Sequence, residues 1–307
     1  MSLPVGELAA LVAAAMWAVG STLFSRIGRV VSPFTMNLGK CLSAGGLLGL
    51  TYLAVRGPHL STASGALVWL AASAVVGLTI GDTAYLHAIV RLGVPRAMLL
   101  LSSAPVFAAI GASVFMGERL GGRSWVGIGV ALGGIALTVT SSRNVAAGDA
   151  KLVDAVSPPR GGRLGPGIFF GLVAGVGQAA GSLLSKHAMS EGLDPLFVSS
   201  GRLLIGGAAL VIVGALRRRG SEILRELATG NAWLRIAGAG FVGSYCGIWL
   251  AQIALNRTPS AGVATTLLAT SPAFALPISH FTGEERIELR GAIGAAITLG
   301  GIALLVT

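Results

Sequence analysis

Apolar stretches long enough to cross a lipid bilayer dominate this sequence. A membrane-spanning helix needs about 20 predominantly apolar residues, and ten segments of the 307-residue chain meet that requirement. They lie near residues 6–24, 33–55, 65–90, 94–116, 123–141, 165–187, 195–216, 232–256, 260–282 and 288–307. The pattern predicts an all-α integral membrane protein with ten transmembrane helices, placed as a multi-pass protein in the cell membrane.

The composition agrees with lipid as the main solvent. Only 11% of the residues are charged, against roughly 25% in ordinary soluble domains, so the chain cannot cover a globular surface with polar groups. The formal net charge is +10, but most Lys and Arg residues lie at the ends of apolar segments, as at cytoplasmic membrane faces. We therefore expect no nucleic-acid partner.

The two halves of the chain repeat each other. Residues 105–140 align without a gap on residues 272–307, with 15 identities in 36 positions. This similarity predicts a first repeat at 1–141, a linker at 142–164 and a second repeat at 165–307. Because each repeat holds five helices, an odd number, the second must enter the membrane inverted, which is a common plan for secondary transporters.

The loop charges predict an orientation. Loops after odd-numbered helices carry 15 Lys and Arg residues, whereas loops after even-numbered helices carry five. Since cytoplasmic loops collect positive charge, the loops at 142–164 and 217–231 are predicted to be cytoplasmic and both termini to lie outside.

Several motifs resemble the drug/metabolite transporter superfamily, in particular its EamA-type ten-helix members. A proline precedes a Glu-Arg pair by 13 residues in both halves, and a Gly-rich helix follows each time. The Trp17-x-x-Gly20-Ser21 of helix one and the Gly81-Asp82 of helix three are similar to the family as well. The repeated motifs are Pro105…Glu118-Arg119 and Pro272…Glu285-Arg286. Two features depart from the family pattern: Lys40 stands where helix two usually carries Arg, and members are often drawn with cytoplasmic termini.

The resemblance implies a function in transport and not in catalysis. Its members move small metabolites, so we expect a secondary transporter that carries an amino acid or a similar polar or anionic solute by alternating access. The implied partners are a small-molecule substrate, membrane lipid and a proton as coupling ion, with no cofactor or metal. A lipid-head-group flippase and a membrane-embedded enzyme remain the alternatives.

Three ionisable side chains inside the apolar segments are candidates for function, because charged groups in a membrane helix are costly. Lys40 in helix two and Asp82 in helix three are expected at similar depth from the same face, so they can form an ion pair; snorkelling of Lys40 or titration of Asp82 are the other interpretations. Arg202 occupies the position equivalent to Lys40 in the second repeat, where Gly247 and Ile248 replace the acid. Glu7 or Glu118 is expected to supply its counter-charge, unless Arg202 binds a substrate anion.

Polar and aromatic residues on helices one, three, six and eight are predicted to line a cavity between the halves. Packing or interfacial roles are the competing interpretation, since Trp and Tyr also collect at membrane surfaces. Together with Lys40, Asp82 and Arg202, the predicted substrate-binding residues are Trp17, Ser21, Tyr85, Gln178, Ser182, Tyr245, Trp249 and Gln252.

The predicted orientation can be tested by thiol labelling. In a variant without Cys41 and Cys246, a cysteine introduced at Arg218 should be protected from an impermeant reagent applied to intact cells. A cysteine introduced at Pro58 should react, because this loop follows an even-numbered helix and is predicted to lie outside the cell. Labelling at position 218 together with protection at position 58 would show that the orientation is opposite to the predicted one.

Overall fold

The protein is built from helices throughout the part of the chain that the structure describes. The structure is a computed structural model, and it describes residues 5–58, 64–116, 121–141, 164–258, 264, 267–281 and 289–306. Seven helices in these ranges are long and apolar enough to cross a membrane, and two shorter apolar helices lie at Trp125–Leu137 and Leu289–Leu304. The helices are α1 (Val5–Ile27), α2 (Pro33–Arg56), α3 (Ser64–Ser73), α4 (Thr83–Leu92), α5 (Val94–Leu101), α6 (Ala104–Met116), α7 (Gly122–Ser141), α8 (Leu164–Ser190), α9 (Pro195–Leu216), α10 (Gly220–Ala228), α11 (Ala232–Gly240), α12 (Gly247–Arg257), α13 (Ser271–Phe281) and α14 (Leu289–Val306).

The described helices agree with the predicted apolar segments apart from two differences, and the predicted count of ten spans stays a prediction. The fourth segment divides at Ser102 and Ser103 into α5 and α6, just before Pro105, whose ring favours the start of a new helix over the interior of an old one. The stretch 217–231, treated above as a loop, contains α10. The linker 142–164 lies almost wholly outside the described residues.

Two membrane-spanning helices contain a π-helical segment at corresponding places. Ala74–Asp82 joins α3 to α4, and Phe241–Cys246 joins α11 to α12. A π-helical turn is rare and widens the helix locally, often beside a functional site. Asp82 is the last residue of the first segment, so the widened turn sets the position of its carboxylate.

Glycine pairs hold these π-helical segments against helices of the other half. A Cβ atom on Gly20 of α1 would lie 2.7 Å from the Cα of Gly243, and one on Gly181 of α8 would lie 2.8 Å from the Cα of Gly77. Such distances leave no room for any side chain. Small residues allow backbones in a membrane to approach closely, and dispersion contacts then replace the hydrophobic effect as the source of packing energy.

Helices α2 and α9 pack antiparallel. The Arg56 side chain at the end of α2 donates a hydrogen bond of 3.0 Å to Asp194. Asp194 in turn caps α9 by accepting hydrogen bonds from the backbone N–H groups of its first turn, and Ser32 caps α2 in the same manner. This pairing brings Lys40 of α2 and Arg202 of α9 into the interior, where both side chains are buried.

The glycine contact predicts the effect of a single methyl group. Gly20→Ala should destabilise the protein by about 1–3 kcal/mol, because overpacking forces two helices apart. Gly129→Ala in α7 is the matched control, since a Cβ there meets nothing within 4 Å. Thermal unfolding in detergent should show a lower midpoint for the Gly20 variant alone. Equal midpoints for the two variants would contradict the close contact.

Candidate functional site

A cavity of about 770 Å³ of empty space, its open mouth included, lies between helices of the two halves. Its wall combines apolar side chains with a small number of polar ones. Nine of the predicted residues line it: Trp17, Ser21, Lys40, Asp82, Tyr85, Gln178, Ser182, Arg202 and Gln252.

Tyr245 and Trp249, which were also predicted to line the cavity, lie outside its wall. The Tyr245 hydroxyl is 3.0 Å from the Thr51 hydroxyl on α2, and its ring stacks on Phe241 with centroids 5.1 Å apart. Trp249 packs edge to face on Tyr245 at 5.9 Å. Tyr245, in the π-helical segment Phe241–Cys246, therefore contributes to the packing of that segment on α2, and Trp249 on α12 packs against Tyr245.

Lys40 and Asp82 form an ion pair at the cavity wall. The Lys40 Nζ donates directly to Asp82 Oδ2. The Lys40 side chain is 6% exposed and that of Asp82 20%, so the pair is shielded from bulk water on most sides. A buried charge is stable only when it is paired and hydrogen-bonded, and each of these residues satisfies that need for the other.

Asn37, which the sequence prediction did not include, fixes the backbone behind this pair. Its amide nitrogen donates to the Leu78 carbonyl at 2.8 Å and to the Thr83 hydroxyl at 2.9 Å. Both acceptors flank the end of the π-helical segment that carries Asp82. An amide one helical turn before Lys40, inside an apolar stretch, was the signal that could have identified it.

Arg202 lies in the same cavity but has a different environment. Its Nη2 atom lies where a side chain on Gly77 would be, 2.8 Å from the position of a Cβ, and similarly close to Gly181. The Asp82 carboxylate also interacts electrostatically with Arg202. Among the described residues, however, the buried Nε of Arg202 has no hydrogen-bond partner.

The counter-charge that acts on Arg202 among the described residues is not one of the two predicted carboxylates, Glu7 and Glu118. Asp82, and not Glu7, is the described carboxylate that interacts with it, while Glu118 lies outside the described residues. One carboxylate thus faces two cations in the cavity wall. The described lining residues carry a formal charge of +1, which favours an anionic ligand.

The other polar groups of the cavity are partly satisfied by one another. The Ser21 and Tyr85 hydroxyls are 2.8 Å apart, and Gln178 Nε2 donates weakly to the Ser182 hydroxyl at 3.4 Å. Gln252 differs, since its buried Oε1 has no partner within the described part of the protein. Two residues of the cavity wall therefore each hold a buried polar atom without a partner among the described residues: the Nε donor of Arg202 and the Oε1 acceptor of Gln252.

The rest of the cavity wall is mostly apolar. Nowhere in the described residues do three His, Cys, Asp or Glu side chains come close enough to hold a metal ion. The remaining wall is apolar and includes Phe24, Leu78, Ile248 and Leu268. An apolar pocket with a small number of directed polar groups is typical of small-molecule recognition.

Comparison with known proteins assigns the chain to a family. The model of the EamA-like transporter family matches residues 4–140 and again residues 165–307. The chain belongs to the EamA-like transporter family. It is therefore a multi-pass membrane protein of a transporter family, within the drug/metabolite transporter superfamily that the sequence motifs indicated.

Individual relatives of this EamA-like protein match shorter regions. The uncharacterized transporter YdfC of Bacillus subtilis is 29% identical over 133 residues, which span 42% of this chain and 40% of YdfC. The probable 4-amino-4-deoxy-L-arabinose-phosphoundecaprenol flippase subunit ArnE of Pseudomonas fluorescens is 31% identical over 93 residues, 30% of this chain and 76% of ArnE. A protein of known crystal structure superposes with a TM-score of 0.66 and 19% identity, covering 97% of this chain and 95% of its own, and it supports the fold.

The ion pair predicts a non-additive pattern of stability. Asp82→Asn should destabilise this EamA-like protein by about 3–5 kcal/mol, since it leaves Lys40 buried without a partner. Adding Lys40→Met should recover a large part of that loss, because both charges are then gone. Thermal unfolding of the parent, both single variants and the double variant measures the coupling. Simple additivity would exclude a stabilising pair.

Proposed function

We propose that this protein is a secondary transporter that carries a small anionic metabolite through the cavity by alternating access. The observation that carries the proposal is the buried guanidinium of Arg202, which lines the cavity and whose Nε has no hydrogen-bond partner among the described residues. Burying an arginine donor without an acceptor costs free energy. A substrate carboxylate or phosphate would supply the missing acceptor and offset the excess positive charge.

The balance of charges supports an anion over a neutral solute. Lys40 already has the Asp82 carboxylate as its direct partner. Among the described residues of the cavity wall, Arg202 is therefore the cation that is free to form an ion pair with a substrate anion. A guanidinium can hold two oxygens of a carboxylate or phosphate in parallel hydrogen bonds. Gln252 offers a second point of attachment for a hydroxyl or ammonium group of the same solute, because its Oε1 is unused.

The proposed mechanism uses the two halves as inverted five-helix repeats. The cavity takes residues from α1, α2 and α4 of the first half and from α8, α9 and α12 of the second. In inverted-repeat transporters, one repeat rocks against the other around a site of this kind near the bilayer midplane. The glycine contacts Gly20–Gly243 and Gly77–Gly181 are the proposed pivots of this motion. At these contacts no side chains interdigitate, so one helix can rotate against the other without separating packed side chains.

The energy source in this proposal is a gradient of a proton or of a second solute. Asp82 is the proposed coupling group, because a carboxylate beside two cations changes the charge of the cavity when it binds a proton. A protonated Asp82 would leave both cations available to an anion, so substrate and proton would favour each other's binding.

A second candidate function is translocation of a lipid-linked head group. The similarity to ArnE, which is named as a subunit of a phosphoundecaprenol flippase, favours this alternative. A phosphate on a polyprenyl carrier would satisfy Arg202 as well as a free anion would. The two functions differ in whether a water-soluble solute can enter and leave vesicles by counterflow.

The proposal predicts a defect in substrate affinity for Arg202→Gln. Loss of a charge-assisted hydrogen bond costs roughly 1.5–3 kcal/mol, or about ten- to a hundredfold in apparent affinity. A thermal-shift screen of amino acids, sugar phosphates and nucleotides would first identify a stabilising anion. Counterflow of that anion in proteoliposomes would then compare the parent with Arg202→Gln across pH.

Two controls make the result specific. Arg257→Gln applies the same substitution to an exposed arginine at the end of α12 and should leave counterflow unchanged. Arg202→Lys keeps the charge but loses the planar fork, so an intermediate affinity is expected. Unchanged affinity in a folded Arg202→Gln protein would exclude the ligand role. A protein that binds only lipid-linked anions, with no counterflow of soluble ones, would support the flippase.

A further inference from the structure

Four exposed arginines cluster where the chain turns between α9, α10 and α11. Arg217 and Arg218 follow α9, Arg225 lies on α10, and Arg235 lies in the first turn of α11; all four are exposed. Among the described residues, none of the four makes a direct hydrogen bond or ion pair with a carboxylate. Glu222, which is paired with Arg219, acts on Arg225 only electrostatically. We call this group the arginine corner.

Large apolar side chains project beside the arginine corner. Leu216 is 79% exposed, Leu224 70% and Leu234 67%. Leu216 and Leu234 belong to helices that are apolar enough to cross the membrane, whereas Leu224 lies on the short α10 between them. Three exposed leucines beside four exposed arginines suit the boundary between lipid head groups and acyl chains.

The inner face of α10 is fixed to the rest of the protein. Ile223 is buried, and the Arg219 side chain donates to the Glu222 carboxylate at 2.8 Å. The Arg219 guanidinium also lies over the Phe34 ring, 5.2 Å from its centroid. Because these contacts hold one face of α10, its other face carries Leu224 and Arg225 outward in a defined orientation.

Helix α10 is linked to the start of α2 as well. The Ser32 hydroxyl donates to Glu226 Oε2 at 2.8 Å, and the Ser32 backbone N–H reaches the same oxygen at 3.3 Å. Ser32 is the cap of the helix that carries Lys40. Any ligand that orders α10 therefore also orders the N-terminal end of a cavity helix.

We infer that the arginine corner binds the head groups of anionic phospholipids, with Leu224 and its neighbouring leucines inserted among the acyl chains. Arginine pairs with phosphate oxygens, and basic residues beside a membrane span add affinity for anionic lipid. The adjacent apolar side chains favour a lipid surface over a nucleic acid or an acidic peptide, since neither of those would cover the leucines. This inference does not depend on what the cavity transports.

Native mass spectrometry of the detergent-purified full chain can test the inference. The parent, titrated with phosphatidylglycerol and separately with phosphatidylcholine, should retain the anionic lipid preferentially. The double variant Arg217→Gln/Arg225→Gln should weaken phosphatidylglycerol binding about 30-fold. This is the loss of affinity expected when two basic residues near an anionic membrane surface lose their charge. Retention of phosphatidylcholine should not change.

A matched double variant removes two cations from the other face. Lys186 and Arg257 lie near the ends of α8 and α12 that face away from α10. The double variant Lys186→Gln/Arg257→Gln should therefore bind phosphatidylglycerol as the parent does. The parent's midpoint of thermal unfolding should also be higher in phosphatidylglycerol nanodiscs than in phosphatidylcholine nanodiscs, with this difference reduced in Arg217→Gln/Arg225→Gln. Equal weakening in both double variants, no lipid preference in the parent, or unchanged binding in Arg217→Gln/Arg225→Gln would overturn the inference.

Discussion

The ion pair between Lys40 and Asp82 is the interaction on which the candidate site depends. A charge inside a membrane helix is costly, and the described residues of the cavity wall include two cations but one carboxylate. Because Asp82 is the direct partner of Lys40, Arg202 receives only the electrostatic influence of that carboxylate. The resulting imbalance is the basis on which we propose an anionic substrate.

Backbone geometry makes this arrangement of charges possible. The π-helical segment that ends at Asp82 places the carboxylate beside Lys40, and the absence of a side chain at Gly77 and Gly181 leaves the space that the Arg202 guanidinium fills. A methyl group at either glycine would press on the guanidinium or on the facing backbone. Gly77 and Gly181 therefore serve both helix packing and the placement of the Arg202 charge, since a larger residue at either position would occupy the space of the guanidinium.

The EamA-like family model matches both halves of the chain, so they share a sequence plan, but they differ in the groups that they present. Lys40 and Arg202 occupy equivalent places on α2 and α9, whereas Ile248 stands in the second half near the place of Asp82. Membership of the EamA-like family accounts for the shared plan. The proposed substrate specificity comes from the differences, because a symmetric cavity with two complete ion pairs would offer no unused donor. The arginine corner at α10 is a further feature without a counterpart in the first half's described residues.

The sequence by itself determined the helical class and the family, because twenty apolar residues in a row permit few other structures and the Pro…Glu-Arg motifs recur. The number of ten spans stays a prediction, since seven described helices are long and apolar enough to cross a membrane. The sequence also predicted that Lys40 and Asp82 could meet, since depth along two helices follows from counting residues. The tertiary structure alone decided the rotation of each helix: it turned Tyr245 and Trp249 away from the cavity, placed Arg202 between Gly77 and Gly181, and revealed α10. In a soluble protein, apolar periodicity predicts which face is buried. In a membrane, lipid and protein interior are similarly apolar, so only close packing between particular helices determines which side chains face the cavity.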